Sequence, residues 1–151
     1  MRIVIQRVSS SRVSVSGRPV GEIGAGLCLL IGVAPGDDER AALWAASKIA
    51  NLRIFEDSEG KMNRSILDTG GEILVISQFT LYADCKKGRR PSFAGAAEPS
   101  LANELYESLT ARLREMGISV QNGVFGAEMS VDIINEGPVT IILDTADMPE
   151  K

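Results

Sequence analysis

The stretch Ile73-Leu-Val-Ile-Ser-Gln-Phe-Thr-Leu-Tyr-Ala-Asp84 decides how the rest of the chain is interpreted. Its first four residues form an unbroken aliphatic run after the pair Gly70-Gly71, which is typical of a strand buried on both faces. Three polar side chains, Ser77, Gln78 and Thr80, follow at the end of this strand. Because an unpaired buried polar group costs roughly 1–3 kcal/mol, these side chains need partners.

Two interpretations of this polar strand end are open. In the first, Ser77 and Thr80 bond to the neighbouring backbone, and Gln78 is an ordinary surface residue. In the second, the buried strand holds a hydroxyl and an amide rigidly in a pocket. The chemistry of the residues alone does not choose between them.

The composition predicts one soluble domain. A chain of 151 residues that is 44% hydrophobic is long enough for one well-formed core. Its net charge of −4 gives no global attraction to nucleic acid, so any RNA contact must come from a local patch. The longest apolar run, residues 27–33, is far too short to span a bilayer. With only two distant cysteines and no signal-peptide pattern, we expect a cytoplasmic protein without membrane contact.

The absence of histidine restricts the chemistry more than any other compositional fact. It excludes Ser-His-Asp and Cys-His catalysis, zinc sites with imidazole ligands and a histidine general base. We therefore expect neither a metal nor a cofactor. An enzyme of this composition has to work by positioning, by backbone dipoles and by a group supplied by the substrate.

Hydrophobic periodicity predicts more strands than helices. The strands are expected near residues 2–15, 20–23, 27–31, 53–55, 73–76, 118–125, 129–134 and 139–143, with a turn at Asn135–Pro138. Helices are expected from an Asp37 or Asp38 cap to about Leu52, and from about Pro99 to Met116. The fold class is thus mixed α/β (α+β): residues 1–145 form one domain, whose mixed sheet curls toward a barrel with two main helices packed on it. The tail, residues 146–151, is expected to fray.

One concentrated basic run follows the predicted pocket. The segment Cys85–Phe93 carries an aromatic side chain, Phe93, and four cations: Lys86, Lys87, Arg89 and Arg90. A run of this length is usually a solubilising loop. Its place beside the polar strand end also suits a rim that contacts phosphates.

Three separated motifs resemble those of the D-aminoacyl-tRNA deacylase (D-tyrosyl-tRNA(Tyr) deacylase) family. They are Ser77-Gln-Phe-Thr-Leu81, Gly88-Arg-Arg-Pro-Ser-Phe93 and Asn135-Glu-Gly-Pro-Val-Thr140. The segments Gln6–Val8, Gly21–Gly26 and Glu59–Asn63 resemble the same family, so the resemblance extends over residues 1–145.

The resemblance implies a homodimeric cytosolic hydrolase without cofactor. Such an enzyme cleaves the ester between a D-amino acid and its tRNA, which is a proofreading reaction. It also removes achiral glycine from mischarged tRNA, so its D-selectivity amounts to rejection of L-aminoacyl-tRNA.

The resemblance also assigns site residues. The catalytic stretch comprises Ser77, Gln78, Phe79 and Thr80, which line the pocket. The turn Gly137-Pro138, with a cis peptide bond, enters the active site of the partner subunit and faces the α-carbon of the aminoacyl group. Further substrate-binding positions are Phe125 and Met129 near the terminal adenosine, Arg7 supporting the turn, and Phe93.

The catalytic group is a choice between Thr80 and the tRNA itself. Thr80 is the obvious nucleophile by residue type, but without histidine nothing nearby in sequence activates its hydroxyl. The 2′-hydroxyl of the terminal ribose is the better candidate, with backbone N–H groups near Phe79 and Thr80 stabilising the oxyanion. Two alternatives remain open: a non-catalytic nucleic-acid-binding module, and an editor of the same fold with L-amino-acid selectivity.

Overall fold

β6 (Glu72–Ser77) is an interior strand of the main sheet, as the computed structural model of residues 1–150 shows. It pairs in parallel with β3 (Gly26–Gly32) on one side and β7 (Ser119–Asn122) on the other. The side chains of Ile73 to Ile76 are at most 1% exposed. The prediction of a strand buried on both faces is therefore confirmed.

The long first strand joins three partners. β1 (Arg2–Val15) pairs antiparallel with β3 through its first half, and with β2 (Arg18–Ile23) through its second half. Its other edge pairs antiparallel with β8 (Ser130–Asp144) along nearly its whole length. Because β2 also approaches β7 (a Cβ on Gly21 would lie 2.9 Å from the Asn122 carbonyl oxygen), the sheet curls toward a barrel. The predicted fold class is confirmed.

Two main helices cover the sheet. α1 (Glu39–Asn51) begins at Asp38, whose carboxylate accepts a hydrogen bond from the Ala41 N–H. α3 (Pro99–Glu115) starts with a proline, which suits the first helical position because its missing N–H has no intrahelical acceptor there. Both were predicted to within two residues.

The segment between α1 and β6 is more structured than predicted. A two-stranded ladder joins β4 (Phe55–Glu56) to β5 (Met62–Arg64). The four-residue helix α2 (Ile66–Thr69) follows, closed by a capping box in which Ser65 and Asp68 each bond to the backbone of the other. The sequence pattern Ser65-x-x-Asp68 is the local signal for this helix start, and hydrophobic periodicity does not predict so short a helix.

The prediction of two strands around a turn at Asn135–Pro138 is wrong. β8 runs without interruption through these residues, and both of its halves pair with β1. The register jumps between the pairs Val8–Asn135 and Gln6–Thr140, so residues 136–139 lie opposite Arg7 alone. Gly137 and Pro138 therefore sit in a wide bulge. No residue of β8 is buried, so its second half is not the buried strand that was predicted.

The end of the described chain contacts α1. A 3-10 turn spans Thr145–Asp147, and the Arg40 guanidinium donates to the Pro149 carbonyl. The division of the chain at residue 145 and the fraying of the tail stay predictions. Within residues 1–150 no helix has the length and apolar character needed to cross a bilayer.

Candidate active site

The site begins where β6 stops. The Gln78 N–H donates to the Ile31 carbonyl at 2.7 Å, which extends the pairing with β3 by one residue. The backbone then closes into a 3-10 turn over Phe79–Tyr82. The N–H groups of Phe79 and Thr80 open this turn, and the first N–H groups of a helical turn have no intrahelical acceptor. They are therefore available to a ligand.

Contacts on its far side hold this 3-10 turn in place. A Cβ on Gly32 would lie 3.1 Å from the Leu81 side chain, so the absence of a side chain at Gly32 lets β3 pack closely against this turn. The Arg2 guanidinium donates to the Leu81 carbonyl at 3.2 Å and lies 5.0 Å from the centre of the Tyr82 ring. Burial, with a smaller contribution from the carboxylates of Asp37 and Asp144, raises the pKa of Tyr82 to about 12. Tyr82 is thus neutral at physiological pH and has a structural role.

A cavity of about 580 Å³ opens beside the strand end. Ser77, Gln78 and Phe79 form one side of it. The remaining lining residues come from β6, the residue after β3, the segment from Phe93 to the first turn of α3, and the segment around the start of β8: Val33, Ile76, Phe93, Ala96, Ala97, Glu98, Pro99, Ala102, Phe125, Gly126, Ala127, Met129 and Val131.

Aromatic and aliphatic side chains dominate this cavity. Phe79, whose side chain is 56% exposed, meets Phe93 edge to face with ring centres 5.1 Å apart. Glu98 is the only ionisable side chain among the residues that line the cavity. Its carboxylate makes no hydrogen bond or ion pair within residues 1–150. The cavity thus offers apolar contact surface, two polar side chains from the end of β6 and one negative charge.

The structure separates Thr80 from the other three residues of its motif. Thr80 is exposed and does not line the cavity. Its hydroxyl oxygen accepts a hydrogen bond from the Gln78 side-chain amide. An amide N–H donor cannot take a proton from this hydroxyl. The only side-chain partner that Thr80 has within residues 1–150 therefore leaves its hydroxyl unactivated.

Arg7 lies outside the cavity, buried beneath the bulge of β8. It is 5% exposed, and its Nη1 donates to the Ile54 carbonyl at 2.8 Å. Its Nη2 lies 3.9 Å from the Glu56 carboxylate, and its Nε has no partner within residues 1–150. A Cβ on Gly137 would lie 3.2 Å from Nη2. The guanidinium thus packs directly against the Gly137 backbone.

The Gly137–Pro138 peptide bond is cis, as the resemblance implied. Both residues are exposed, and neither lines the cavity of its own chain. Phe125 and Met129, the two positions assigned to the terminal adenosine, do line the cavity. Of the assigned residues, the fold therefore brings Ser77, Gln78, Phe79, Phe93, Phe125 and Met129 together.

The basic loop, residues 84–93, projects beside this site. Backbone hydrogen bonds of 2.7 and 2.9 Å between Asp84 and Ser92 close its base. Its four cationic side chains, those of Lys86, Lys87, Arg89 and Arg90, are exposed, and none has a side-chain hydrogen bond or an ion pair within residues 1–150. They are free to meet an anionic partner.

The sequence did not indicate one wall of the cavity. Ala96, Ala97 and Glu98 enter it because the Ala97 N–H bonds to the Val33 carbonyl at 2.9 Å. Small apolar residues before a helix carry no chemical signature, although Pro99 as a helix start indicated where this segment ends. No group of three or more His, Cys, Asp or Glu side chains within residues 1–150 is arranged to hold a metal ion.

Comparison with known proteins gives consistent matches over nearly the whole chain. The profile of a family described as D-Tyr-tRNA(Tyr) deacylase matches residues 4–144. The D-aminoacyl-tRNA deacylase of Desulfitobacterium hafniense (strain DSM 10664 / DCB-2) is 57% identical over 145 residues, which are 96% of this chain and 97% of that protein. The D-aminoacyl-tRNA deacylase of Thermus aquaticus is 54% identical over 149 residues, covering 99% and 98% respectively.

Two solved structures share the fold. One, described as c-Myc DNA Unwinding Element Binding Protein, is 40% identical with a TM-score of 0.88, covering 95% of this chain and 98% of its own. The other, described as a probable eukaryotic D-amino acid tRNA deacylase, has a TM-score of 0.81 and covers 94% and 97%. At 18% identity, this second match shows a common fold only.

Proposed function

Since the chain belongs to the D-Tyr-tRNA(Tyr) deacylase family, we propose that it hydrolyses the ester bond between a D-amino acid and the terminal ribose of tRNA. The observation that carries the proposal is the cavity at the end of β6, lined by Ser77, Gln78 and Phe79 of the first motif. Glycyl-tRNA is a second substrate, and L-aminoacyl-tRNA is rejected. The reaction takes place in the cytoplasm.

The cavity suits an aminoacyl ester of adenosine. Aromatic side chains give stacking surfaces for an adenine ring, and Phe125 and Met129 are placed for this contact. The Glu98 carboxylate is opposite in charge to the α-ammonium of the aminoacyl group. Because the remaining lining is apolar and wide, it discriminates little between amino-acid side chains.

Water attacks the ester carbonyl in the proposed mechanism. Its oxygen forms the new bond to the carbonyl carbon, and the bond from that carbon to the ribose 3′-oxygen breaks. The N–H groups of Phe79 and Thr80 stabilise the charge on the carbonyl oxygen. The neighbouring 2′-hydroxyl assists proton transfer, which leaves a free D-amino acid and a tRNA with an intact 3′-hydroxyl. Neither histidine nor metal is required.

We further propose that two copies of the chain form the working enzyme. The bulge of β8 lies outside the cavity of its own chain. The side chains of Ile134 and Ile142 on β8 are exposed, although other aliphatic side chains of the strand pack against the core. A twofold contact through β8 would bring Gly137-Pro138 of each subunit into the cavity of the other. Rigid carbonyl oxygens at the α-carbon would then exclude an L side chain sterically.

Release of free amino acid tests the proposal. D-tyrosyl-tRNA, L-tyrosyl-tRNA and glycyl-tRNA are incubated with the protein, and liberated amino acid is measured over time. We expect rapid release from the D-tyrosyl and glycyl esters and background release from the L-tyrosyl ester. Preferential release of L-tyrosine would support the L-selective editor, and no release from any ester would refute the deacylase function.

A binding module without catalysis is the second candidate. The four free cations of the basic loop favour it, as does the 40% identity to a protein described as binding a DNA unwinding element. It predicts salt-sensitive binding of nucleic acid with no hydrolysis. The same incubation separates the two functions, because binding alone releases no amino acid. In the deacylase, the loop contacts tRNA phosphates.

A further inference from the structure

A second, polar groove adjoins the cavity on the far side of Phe125. This α3–β7 groove has a volume of about 420 Å³ and lies between α3 and the segment around β7. Asn103, Glu107 and Arg114 of α3 form one wall, and Asn122 forms the other. Phe125 lines both the groove and the cavity. The cavity and the groove are therefore neighbours, with Phe125 between them.

Hydrogen bonds fix the floor of the α3–β7 groove. The Tyr106 hydroxyl, largely buried, donates to the Val75 carbonyl of β6 at 2.9 Å. The Asn122 amide donates to the same hydroxyl at 2.8 Å and to the Thr110 hydroxyl at 3.3 Å. The floor is thus tied to the strand that ends in the catalytic stretch.

The same network orients one cation at the groove. Nη2 of Arg114 donates to the Asn122 side-chain carbonyl and to the Val120 carbonyl. Its Nε and Nη1 make no hydrogen bond within residues 1–150. A guanidinium held in this way presents its remaining donors in a fixed direction, which suits a phosphate.

A donor and an acceptor stand one helical turn apart on the rim. The Asn103 amide N–H lies 3.4 Å from the Glu107 carboxylate, a long contact that leaves both groups able to bind a ligand. Cytosine presents the complementary set, because its N4 amino group donates while N3 and O2 accept. Uracil has an acceptor, O4, in place of the N4 amino group, and this oxygen would face the Glu107 carboxylate without a hydrogen between them.

We infer that the α3–β7 groove binds the nucleotide that precedes the terminal adenosine of the substrate, a cytidine in every mature tRNA. Glu107 accepts from the cytosine amino group, Asn103 donates to the ring, and Arg114 contacts the phosphate between the two nucleotides. The inference rests on the proposed function, which places the adenosine beside Phe125. A cytidine subsite lets the enzyme recognise all tRNAs by the part they share.

Short substrates test the subsite. D-tyrosyl-adenosine is compared with the D-tyrosyl esters of cytidylyl-(3′→5′)-adenosine and uridylyl-(3′→5′)-adenosine. We expect the cytidylyl ester to have a kcat/KM about tenfold above that of the adenosine ester, mainly through a lower KM. The uridylyl ester should gain little. Equal values for the cytidylyl and uridylyl esters would overturn the inference.

Variants of the groove residues test whether the preference for the cytidylyl ester arises in the α3–β7 groove. Glu107→Gln, Asn103→Ala and Arg114→Ala should each remove most of the ratio between cytidylyl and adenosine esters. Glu104→Gln makes the same charge change on the same helix, at an exposed position outside the groove, and should retain the full ratio. If the ratio persists in the three groove variants but disappears when Lys86, Lys87, Arg89 and Arg90 are neutralised, the nucleotide follows the basic loop and the inference is wrong.

A binding measurement separates this inference from the proposed function. Calorimetric titration with cytidylyl-(3′→5′)-adenosine, which carries no ester to hydrolyse, should give a Kd about tenfold lower than adenosine. This preference should disappear in Glu107→Gln. Hydrolysis of D-tyrosyl-tRNA without a cytidine preference would refute the subsite alone, whereas absence of any hydrolysis would refute the deacylase function while the titration still decides the subsite.

Discussion

β6 and β8 both carry runs of aliphatic side chains, yet the chain buries the two strands very differently. β6 has a partner on each edge, and its aliphatic side chains are almost completely shielded from water. β8 is more than twice as long, has one partner strand, and keeps Ile142 at 69% exposure. Single exposed hydrophobic residues are common. β8 carries two of them, Ile134 and Ile142, and its Ile141 is only half-buried against the core; the proposed second copy would cover this strand.

The difference assigns distinct tasks to the two strands. β6 is fixed by its own chain, so the Ser77–Phe79 end is positioned in a single subunit. The bulge of β8 projects from the opposite side of β1, where the Gly137 backbone packs on Arg7. In the proposed dimer, β6 supplies the catalytic stretch, and β8 supplies the Gly137-Pro138 segment that excludes L side chains. Five predictions test this division of roles.

Gly26→Ala, which tests the pairing of the buried strand β6 with β3, should have the largest effect on stability. A Cβ at Gly26 would lie 1.8 Å from the Glu72 carbonyl oxygen, so β3 and β6 could not pair there. We expect the variant to lose more than about 4 kcal/mol of unfolding free energy, or to fail to fold. Gly36→Ala is the control, since no heavy atom lies within 4 Å of its Cβ. Urea denaturation that gave both variants equal stability would contradict the prediction.

Truncations in the two strands should differ in their dependence on protein concentration. Leu74→Ala removes a fully buried side chain of β6 and should cost about 2–5 kcal/mol at any concentration. In the proposed dimer, Ile142→Ala removes contacts with the second copy, so its cost should grow with protein concentration. Urea unfolding over a hundredfold concentration range measures both. A concentration-independent loss for Ile142→Ala would refute the role assigned to β8.

A charge on β8 should break the dimer. Ile142→Asp places an anion in the proposed twofold contact, where its own copy would face it or lie near it. We expect light scattering to give the mass of one chain instead of two, with deacylation reduced at least tenfold. Leu43→Asp, at a 40% exposed position of α1, should leave the mass unchanged. A dimer that survives Ile142→Asp would move the contact to another surface.

Gly137→Ala should reduce activity more than stability. Its φ of +117° disfavours a side chain, and the new Cβ would lie 2.8 Å from Val139 Cγ2 and 3.2 Å from Arg7 Nη2. The bulge must therefore shift, and we expect kcat/KM for D-tyrosyl-tRNA to fall about 10- to 100-fold. Gly17, with a φ of +76°, is also left-handed, but a Cβ there would meet no heavy atom within 4 Å. Gly17→Ala is therefore the control for the effect of an alanine at a positive φ without displacement of neighbouring atoms. Equal activities of the two variants would contradict the assignment.

The sequence predicts the buried half of the molecule better than the exposed half. An aliphatic run such as Ile73–Ile76 is explained by burial within one chain, and the Asp38 cap and Pro99 start are local signals that tertiary contacts do not override. The segment Asn135–Pro138 is a local signal as well, and it predicts a turn between two strands. The structure instead continues one strand, because pairing with β1 on both sides of the bulge outweighs the turn signal.

The candidate site could likewise be predicted only in part. The motif Ser77–Thr80 indicated where a pocket lies, because polar side chains at a buried strand end need partners. It could not indicate which of them enter the pocket, since the 3-10 turn after Gln78 directs Phe79 into the cavity and Thr80 away from it. The wall formed by Ala96, Ala97 and Glu98 arises from a long-range bond to Val33 that leaves no trace in local sequence.

Removal of the Thr80 hydroxyl should have the smallest effect. That hydroxyl accepts its bond from the Gln78 amide and lies outside the cavity lining, whereas the Thr80 N–H, retained in every variant, is available at the start of the turn. Thr80→Val keeps the shape of the side chain and removes its hydroxyl, so we expect kcat for D-tyrosyl-tRNA to stay within about fivefold of the original value. Thr80→Ser is the control that retains the hydroxyl.

A D-tyrosyl ester on a tRNA ending in 2′-deoxyadenosine should react about 100-fold slower with either variant, because the assisting 2′-hydroxyl is gone. The opposite outcome has two parts: Thr80→Val binds D-tyrosyl-tRNA normally but hydrolyses it only at the background rate, and the deoxy substrate reacts well with Thr80→Ser. The Thr80 hydroxyl would then be the nucleophile, and the tRNA 2′-hydroxyl would not be needed.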